Sequence, residues 1–269
     1  MKRIANEKAY VEHMLKKKEI NTKRPGKDIN SLIKYLYEMD NTLSKDELLI
    51  KVNEILLDII HDENAIKRWQ VSIKEYINDF MSYADTFKGL SNVEHIGITQ
   101  KEIDKIKELD NYKLEYTAFA LLIYLKVKNE ITGKIDNVHC PSGEEDVKLI
   151  RKISGLKVTI KEFALLMKQL QDLGYTSNGI GGAVSCKLNY VDNSRICIIK
   201  VQDFDSESIP LYYTRELKGG RIIYCKECGK LVLVTKEKDY RTLYCKKCDK
   251  EIKNEQALIR TKKYQERRK

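Results

Sequence analysis

Four cysteines near the end of the chain place the tightest constraint on its folding. They form two Cys-x-x-Cys pairs, Cys225 with Cys228 and Cys245 with Cys248, and 16 residues separate the pairs. A gap of two residues lets both sulfurs of a pair reach one ion, and four thiolates complete a tetrahedral zinc shell. We therefore predict a structural Zn²⁺ site with no open position for a catalytic water. Iron or redox chemistry is the alternative.

The pattern around these cysteines predicts a zinc ribbon over residues 221–250. Gly229 follows the first pair, where a knuckle needs a positive φ angle, and Asp249 stands at the equivalent place after the second pair. The intervening "KLVLVTKEKDYRTLY" alternates apolar and polar residues, which predicts a hairpin that turns at "KEKD". A module of this size buries too little apolar surface to fold alone, so the metal would supply its stability.

Charge is distributed unevenly along the 269 residues, whose net charge is +10. Residues 1–27 carry +6, residues 221–269 carry +9 and the residues between them carry −5. A concentration of positive charge at the C-terminal end favours a polyanionic partner, nucleic acid first and DNA in particular. The alternative is that the basic ends only keep the protein in solution.

Residues 251–269 are predicted to form a basic tail that is helical, or disordered until it meets a polyanion. Together with the cysteine knuckles, this tail is where we predict phosphate contacts. The predicted nucleic-acid-binding residues are Lys226, Lys230, Lys246, Lys247, Arg260, Lys262, Lys263, Arg267, Arg268 and Lys269.

The fold class is predicted as mainly α, of the α+β kind, and residues 1–108 are predicted to form a helical bundle. Apolar residues recur at helical spacing in this segment, and "RPGK" supplies a break at Pro25 and Gly26. Two capping boxes mark helix starts, Ser44 with Glu47 and Thr99 with Glu102, and "HDEN" indicates a helix end followed by a new cap. The predicted core or docking face includes Trp69, Tyr76 and Phe80.

Residues 109–205 are predicted to form a winged-helix-like domain, followed by a linker over residues 206–220 that ends in Gly219 and Gly220. A long apolar helix at 114–128 precedes two capped helices, one starting after Ser142 and one after Thr159. The period then changes to two in "AVSCKLNYV" and "ICIIKVQ", which predicts a hairpin turning at "DNSR".

The role of this middle domain stays open between DNA contact and dimerisation or docking of a partner protein. The helix in the recognition position exposes few cations, chiefly Lys161 and Lys168, whereas duplex binding uses several phosphate contacts. A homodimer is compatible with either role. Cys186 and Cys197 lie in apolar segments and are predicted to be buried.

The segments "RPGKDINSLIKYLY", "KLEYTAFALLIYLKV", "GLKVTIKEFALLMKQLQDLG", "YCKECGKLV" and "YCKKCDKEIK" carry a family resemblance. In this order, with a basic tail, the chain resembles a group of prophage and mobile-element proteins of Gram-positive bacteria. The resemblance implies an accessory protein that associates with nucleic acid, and it implies no particular activity.

No catalytic constellation is found in the sequence. A Walker-type Gly-rich loop before Lys-Ser or Lys-Thr is absent, the four histidines are scattered, and "NGIGG" fits a flexible turn. We therefore predict a protein that is not an enzyme: a zinc-stabilised DNA-binding accessory protein, either a replication organiser or a transcriptional regulator. The alternative function is an adaptor that docks a host or phage protein.

The cellular location is predicted as cytoplasmic, without a membrane partner. The longest apolar run, "YTAFALLIYL", is much shorter than a membrane span, and the N-terminal segment lacks the pattern of an export signal.

Overall fold

A computed structural model describes residues 5–22, 25–133, 138–139, 144–178, 186–192, 194, 196–202, 204–235 and 241–266. These residues are mainly helical, as predicted, with short antiparallel strands. The chain divides into two compact units. The first comprises Met1–Glu94 with Glu130–Lys134, and the second comprises His95–Asn129 with Ile135–Lys269.

In the described residues of the first unit, four α-helices follow one another and a short 3-10 helix (Ala84–Thr86) comes after them; the ends of the α-helices lie where local sequence signals place them. The Ser44–Glu47 capping box is present, Pro25 precedes the second helix, and His61 ends the third in a left-handed conformation. Asp62 then caps the fourth by accepting from the Asn64 and Ala65 backbone N–H groups. The helices are α1 (Glu7–Lys17), α2 (Gly26–Met39), α3 (Lys45–Ile60) and α4 (Glu63–Met81).

The core of this unit is an aliphatic cluster closed at one end by aromatic rings. Phe80 is fully buried and makes edge contacts with Tyr37, Tyr83 and Phe87 at centroid distances of 5.1, 5.4 and 5.2 Å. Trp69 and Tyr76 are partly buried against the same cluster. The prediction that Trp69, Tyr76 and Phe80 contribute to the core or its docking face is therefore confirmed.

The second unit is built around helix α6 (Tyr112–Thr132), whose residues up to Asn129 belong to this unit and are mostly buried. Two of its charged side chains have buried partners, which offsets the cost of burying them. Glu115 accepts a hydrogen bond from Tyr213 at 2.8 Å, and Lys126 pairs with the buried Glu102. Glu102 belongs to the preceding helix α5 (Gln100–Lys107), whose capping box with Thr99 is confirmed. We assigned α5 to the N-terminal bundle, but it belongs to the second unit.

Two small antiparallel sheets replace the single hairpin that we predicted. Strand β1 (Ile96–Ile98) pairs with β5 (Ile199–Val201), and the second sheet has the order β2 (Val138–His139), β4 (Cys186–Leu188), β3 (Thr176–Asn178). The predicted pairing across "DNSR" is therefore wrong. β4 follows β3 in a hairpin, whereas β5 pairs with a strand far upstream in the chain, before α5.

Two helices lie between β2 and β3, namely α7 (Glu144–Ile153) and α8 (Ile160–Asp172). The Thr159–Glu162 capping box at the start of α8 is confirmed, whereas the box predicted at Ser142 lies outside the described residues. Gly155, with a φ angle of +70°, turns the chain between the two helices.

The linker predicted over residues 206–220 contains helix α9 (Ile209–Lys218). Ile209, Tyr212 and Tyr213 recur at helical spacing and are buried, so this segment is part of the packed unit. After Gly219 and Gly220 come strands β6 (Arg221–Tyr224) and β7 (Leu231–Val234) and the final helix α10 (Lys246–Glu266). Because α10 begins at Lys246, the boundary that we predicted between ribbon and tail falls inside one helix.

Among the described residues, no helix combines the length and apolar character needed to cross a bilayer.

Candidate metal centre

The first cysteine pair lies in a tight turn between two paired strands. β6 and β7 are antiparallel with Tyr224 opposite Leu231, and the intervening residues 225–230 form the turn. The Cys225 N–H donates to the Lys230 carbonyl at 2.8 Å, and the Gly229 N–H donates to the Cys225 carbonyl at 2.8 Å. Gly229 has a φ angle of +70°, as predicted for a knuckle.

The second pair lies at the start of helix α10 instead of in a second knuckle. Cys245 directly precedes the helix, Cys248 is in its first turn, and the Asp249 N–H donates to the Cys245 carbonyl at 2.9 Å, as in a helix. Asp249 is therefore not the counterpart of Gly229. The ribbon hairpin was predicted to turn at residues 236–239, which lie outside the described residues. In the described part, β7 pairs with β6, and residues 241–244 form no strand.

The four sulfurs converge although the pairs are separated in sequence. They all lie within 4.8 Å of one another, and the Cys228 and Cys245 sulfurs are 3.8 Å apart. A tetrahedral shell with Zn–S bonds of about 2.3 Å has edges of about 3.8 Å. Cys225 and Cys248 are buried, whereas Cys228 is exposed. Four soft donors at this spacing can hold one metal ion.

Backbone N–H groups around the cluster stabilise thiolates. A hydrogen bond from the Cys228 backbone lowers the pKa of the Cys225 thiol to about 6. The Cys245 N–H also donates to the Cys225 sulfur at 3.2 Å, and the pKa of Cys245 is lowered by the Cys248 backbone N–H. The pKa of Cys248 is raised because of a hydrogen bond between its side chain and that of Cys245. Metal ligation requires all four thiols to be deprotonated.

Four of the predicted nucleic-acid-binding residues, Lys226, Lys230, Lys246 and Lys247, lie close to the cysteines of this centre in the chain. Lys226 is exposed on the knuckle, and Lys230 beside it pairs with Glu207 at 3.0 Å. Lys247 pairs with Glu251 at 3.8 Å. Of the remaining predicted residues, Lys246, Arg260 and Lys262 are exposed on α10, Lys263 is also in α10, and Arg267, Arg268 and Lys269 lie outside the described residues.

Helix α10 groups cations on one face in a way that was not predicted from the sequence. Lys246, Lys250, Lys253 and Arg260 recur at helical spacing and share one face, which we call the basic stripe. Ala257 and Tyr264 continue the same face. Lys250 and Lys253 were not among the predicted residues, although their spacing of three and four positions could have identified them once a helix was assumed from Lys246.

The other cysteines and candidate motifs do not form a second site in the described part of the chain. Cys197 is exposed, so the prediction that it is buried is wrong. Its position next to β5, which pairs with β1, leaves the side chain against Gly97 at the sheet surface. For Cys186 the side chain lies outside the described residues, as does most of the "NGIGG" segment.

Comparison with known proteins identified no matching family model, no similar curated protein and no similar solved structure. The functional interpretation therefore depends on the residues of this molecule.

Proposed function

We propose that this protein is a zinc-stabilised nucleic-acid-binding protein whose metal centre and helix α10 make the phosphate contacts. The observation that carries the proposal is an exposed, cation-rich helix at whose N-terminal end two of the four converging cysteines lie, Cys245 just before it and Cys248 in its first turn. Helix α10 would provide a surface that binds a polyanion, and the metal site at its start would hold the helix in place. DNA is the expected nucleic acid.

Zinc is the proposed ion because of the donor set. Four cysteine sulfurs within 4.8 Å of one another suit Zn²⁺, and a shell filled by protein ligands leaves no position for substrate. When bound, the ion would supply folding energy to a module with little buried apolar surface. Cys225 and Cys228 would hold it from the knuckle, and Cys245 and Cys248 from the start of α10.

Helix α10 supports phosphate contact through its exposure. All residues from Lys253 to Lys262 are exposed, so this part of the helix is open to a partner. Lys250, Arg260 and Lys262 make no ion pair within the described residues, whereas Lys253 pairs with Asp249 at 2.7 Å. Cations without acidic partners can exchange their counterions for phosphates, which is the main source of nucleic-acid affinity.

The order of elements from α6 to β4 supports a winged-helix-like middle segment. Helix, strand, two helices and a hairpin follow one another, and the first strand joins the hairpin in one three-stranded sheet. In this arrangement α8 occupies the recognition position. On the outer face of α8, however, Leu165 is 64% exposed, and Leu173, the residue after the helix, is 57% exposed. Lys168 pairs with Asp172 at 2.9 Å.

These two exposed leucines favour a protein contact for α8 over a phosphate contact. An apolar face of this kind suits a second copy of the chain or another protein, and it is the observation that supports the alternative function, an adaptor. The resemblance to prophage proteins supplies a setting for both functions, as an accessory factor in replication or transcription.

The test measures binding of the metal-loaded protein to labelled DNA over a salt series. The variant Lys250→Gln, Arg260→Gln, Lys262→Gln should weaken binding and flatten the slope of log K against log salt by about 0.7 to 0.9 for each phosphate that is no longer neutralised. The matched control, Lys67→Gln, Arg68→Gln, Lys74→Gln on α4, removes the same charge elsewhere and should leave the slope nearly unchanged.

Two results would contradict the proposal. An equal drop in affinity for both variants would mean that only net charge matters and that α10 does not bind the phosphates. Absence of salt-dependent binding by the unmodified protein at low salt would favour the adaptor function.

A further inference from the structure

A cleft of about 610 Å³ lies beside the metal centre. Strand β7, residues 241–244 and the first two turns of helix α10 form its walls. Its volume falls in the range of pockets that bind small molecules, about 300 to 1,000 Å³. The residues that matter most for its chemistry are Val232, Arg241, Leu243, Tyr244, Lys246 and Lys253.

Hydrogen bonds from residues 221–230, the module that carries the first cysteine pair, hold one wall of the cleft in place. The Lys226 N–H donates to the Leu243 carbonyl at 3.0 Å, and the Arg221 guanidinium donates to the Thr242 carbonyl at 3.4 Å. Cys245, one of the four converging cysteines, directly follows Tyr244 in the chain. The wall that carries Leu243 and Tyr244 is therefore positioned by the same module that would bind the metal.

The lining combines an excess of positive charge with an apolar and aromatic surface. Among the described lining residues, Arg241, Lys246 and Lys253 face the cleft with one carboxylate, that of Asp249, which pairs with Lys253 at 2.7 Å. Lys246 makes no ion pair among the described residues. Beside these cations, Val232, Leu243 and Tyr244 provide the apolar wall. An anion attached to a flat apolar group matches this lining, and a nucleotide is such a molecule.

The cleft also opens onto the basic stripe. Lys246 and Lys253 belong to both, and the stripe continues to Arg260, about 21 Å along the helix from Lys246 at about 1.5 Å per residue. A strand whose base enters the cleft can therefore lay its following phosphates along α10. In a duplex the bases are paired and stacked, and extruding one costs free energy that a single strand does not pay.

We infer that this cleft binds an unstacked nucleotide of single-stranded nucleic acid, with its base against Tyr244 and its flanking phosphates on the basic stripe. The inference rests on the proposed function and names its substrate class. It predicts that the protein binds a single strand more tightly than a duplex of the same sequence.

The experiment compares labelled single-stranded and duplex DNA at one ionic strength, using the full-length, metal-loaded protein. Tyr244→Leu keeps an apolar side chain but removes the ring, and it should lower single-strand affinity about tenfold, since the variant cannot stack on a base. Duplex affinity should not change. Tyr224→Leu is the matched control, because Tyr224 also precedes a Cys-x-x-Cys pair, is exposed and does not line the cleft.

A second measurement separates stacking from a structural role of Tyr244. A fluorescent base analogue within the single strand should be quenched on binding to the unmodified protein and to Tyr244→Phe, and not on binding to Tyr244→Leu. Metal content is measured in every variant, and if Tyr244→Leu loses metal, Arg241→Gln replaces it and should reduce single-strand affinity selectively.

The possible failures can be told apart. Salt-dependent duplex binding that equals or exceeds single-strand binding overturns the inference and leaves the proposed function standing. An equal effect of Tyr244→Leu and Tyr224→Leu, or an analogue that stays bright, also overturns the inference alone. Failure to bind either form of DNA overturns both.

Discussion

Glu102 is a buried residue whose side chain connects separate segments of the second unit. It is fully buried, accepts from the Thr99 N–H at 2.9 Å and the Asp192 N–H at 2.9 Å, and pairs with Lys126 at 2.8 Å. Glu162 occupies the equivalent capping-box position in α8 but is exposed. The same local motif therefore has two different energetic roles.

The prediction is that Glu102→Ala destabilises the protein by about 3 to 5 kcal/mol, as expected when one partner of a buried ion pair is removed. Glu162→Ala, which disturbs only an exposed cap, should cost about 1 kcal/mol. Urea denaturation followed by circular dichroism measures both values. If the two variants are destabilised to a similar extent, the Glu102–Lys126 pair is not a structural link of this kind.

Residues with local roles could be predicted from the sequence, and residues with distant partners could not. The capping residues Ser44, Thr99 and Thr159 and the four cysteines were identified because their partners lie three or four positions away or follow a fixed spacing. That Glu102 also binds Lys126 and Asp192 depends on the packing of α6, which no local pattern contains. The burial of Cys197 was wrongly predicted for the same reason, because its surroundings depend on the pairing of β5 with the distant strand β1.

At the scale of elements, the β1–β5 pair shows why the predicted hairpin failed. Alternation of apolar residues identified residues 196–202 as a strand, but alternation does not indicate which strand is its partner. We paired it with the strand that precedes it in the chain, whereas the structure pairs it with β1. The second cysteine pair was misplaced for a similar reason. Its spacing matched a knuckle, although the residues after Cys248 form a helix that begins before it.

Gly97 in β1 gives a test of this pairing. A Cβ atom at Gly97 would overlap the Cys197 sulfur, so Gly97→Ala should destabilise the protein by about 1 to 3 kcal/mol, as overpacking does. Cys197→Ala alone should have a small effect because Cys197 is exposed. In the double variant, part of the stability should be recovered, since the sulfur is gone. Urea denaturation of the four proteins measures the coupling, and purely additive effects would contradict the pairing.

For the whole molecule, the first unit has a core of buried side chains, whereas the C-terminal segment carries four cysteines that could hold a metal ion. The core cluster of the first unit is assembled from buried side chains of α1 to α4, and the only tryptophan, Trp69, packs against it. In contrast, α10 has few buried side chains, with Cys248 buried and every residue from Lys253 to Lys262 exposed. Its position depends chiefly on the cysteine cluster at its first turn.

Removal of metal should therefore affect one end of the molecule and spare the other. With a chelator, helical circular dichroism should fall by an amount up to the 21 residues of α10, because helices in proteins owe most of their stability to tertiary packing and α10 packs little apolar surface. The fluorescence of Trp69 should not change. Cys245→Ser should reproduce the metal-free state without chelator, whereas Cys197→Ser, outside the cluster, should retain full metal content.

Removal of the metal should also change how the protein binds DNA. A released α10 no longer aligns the basic stripe but keeps its charge, so DNA binding should weaken while the slope of log K against log salt changes less than in the charge-removal variant. Re-addition of Zn²⁺ should restore affinity. A metal-free protein that binds DNA as tightly as the loaded one, or a change in Trp69 fluorescence on chelation, would show that the metal does not act by fixing this helix.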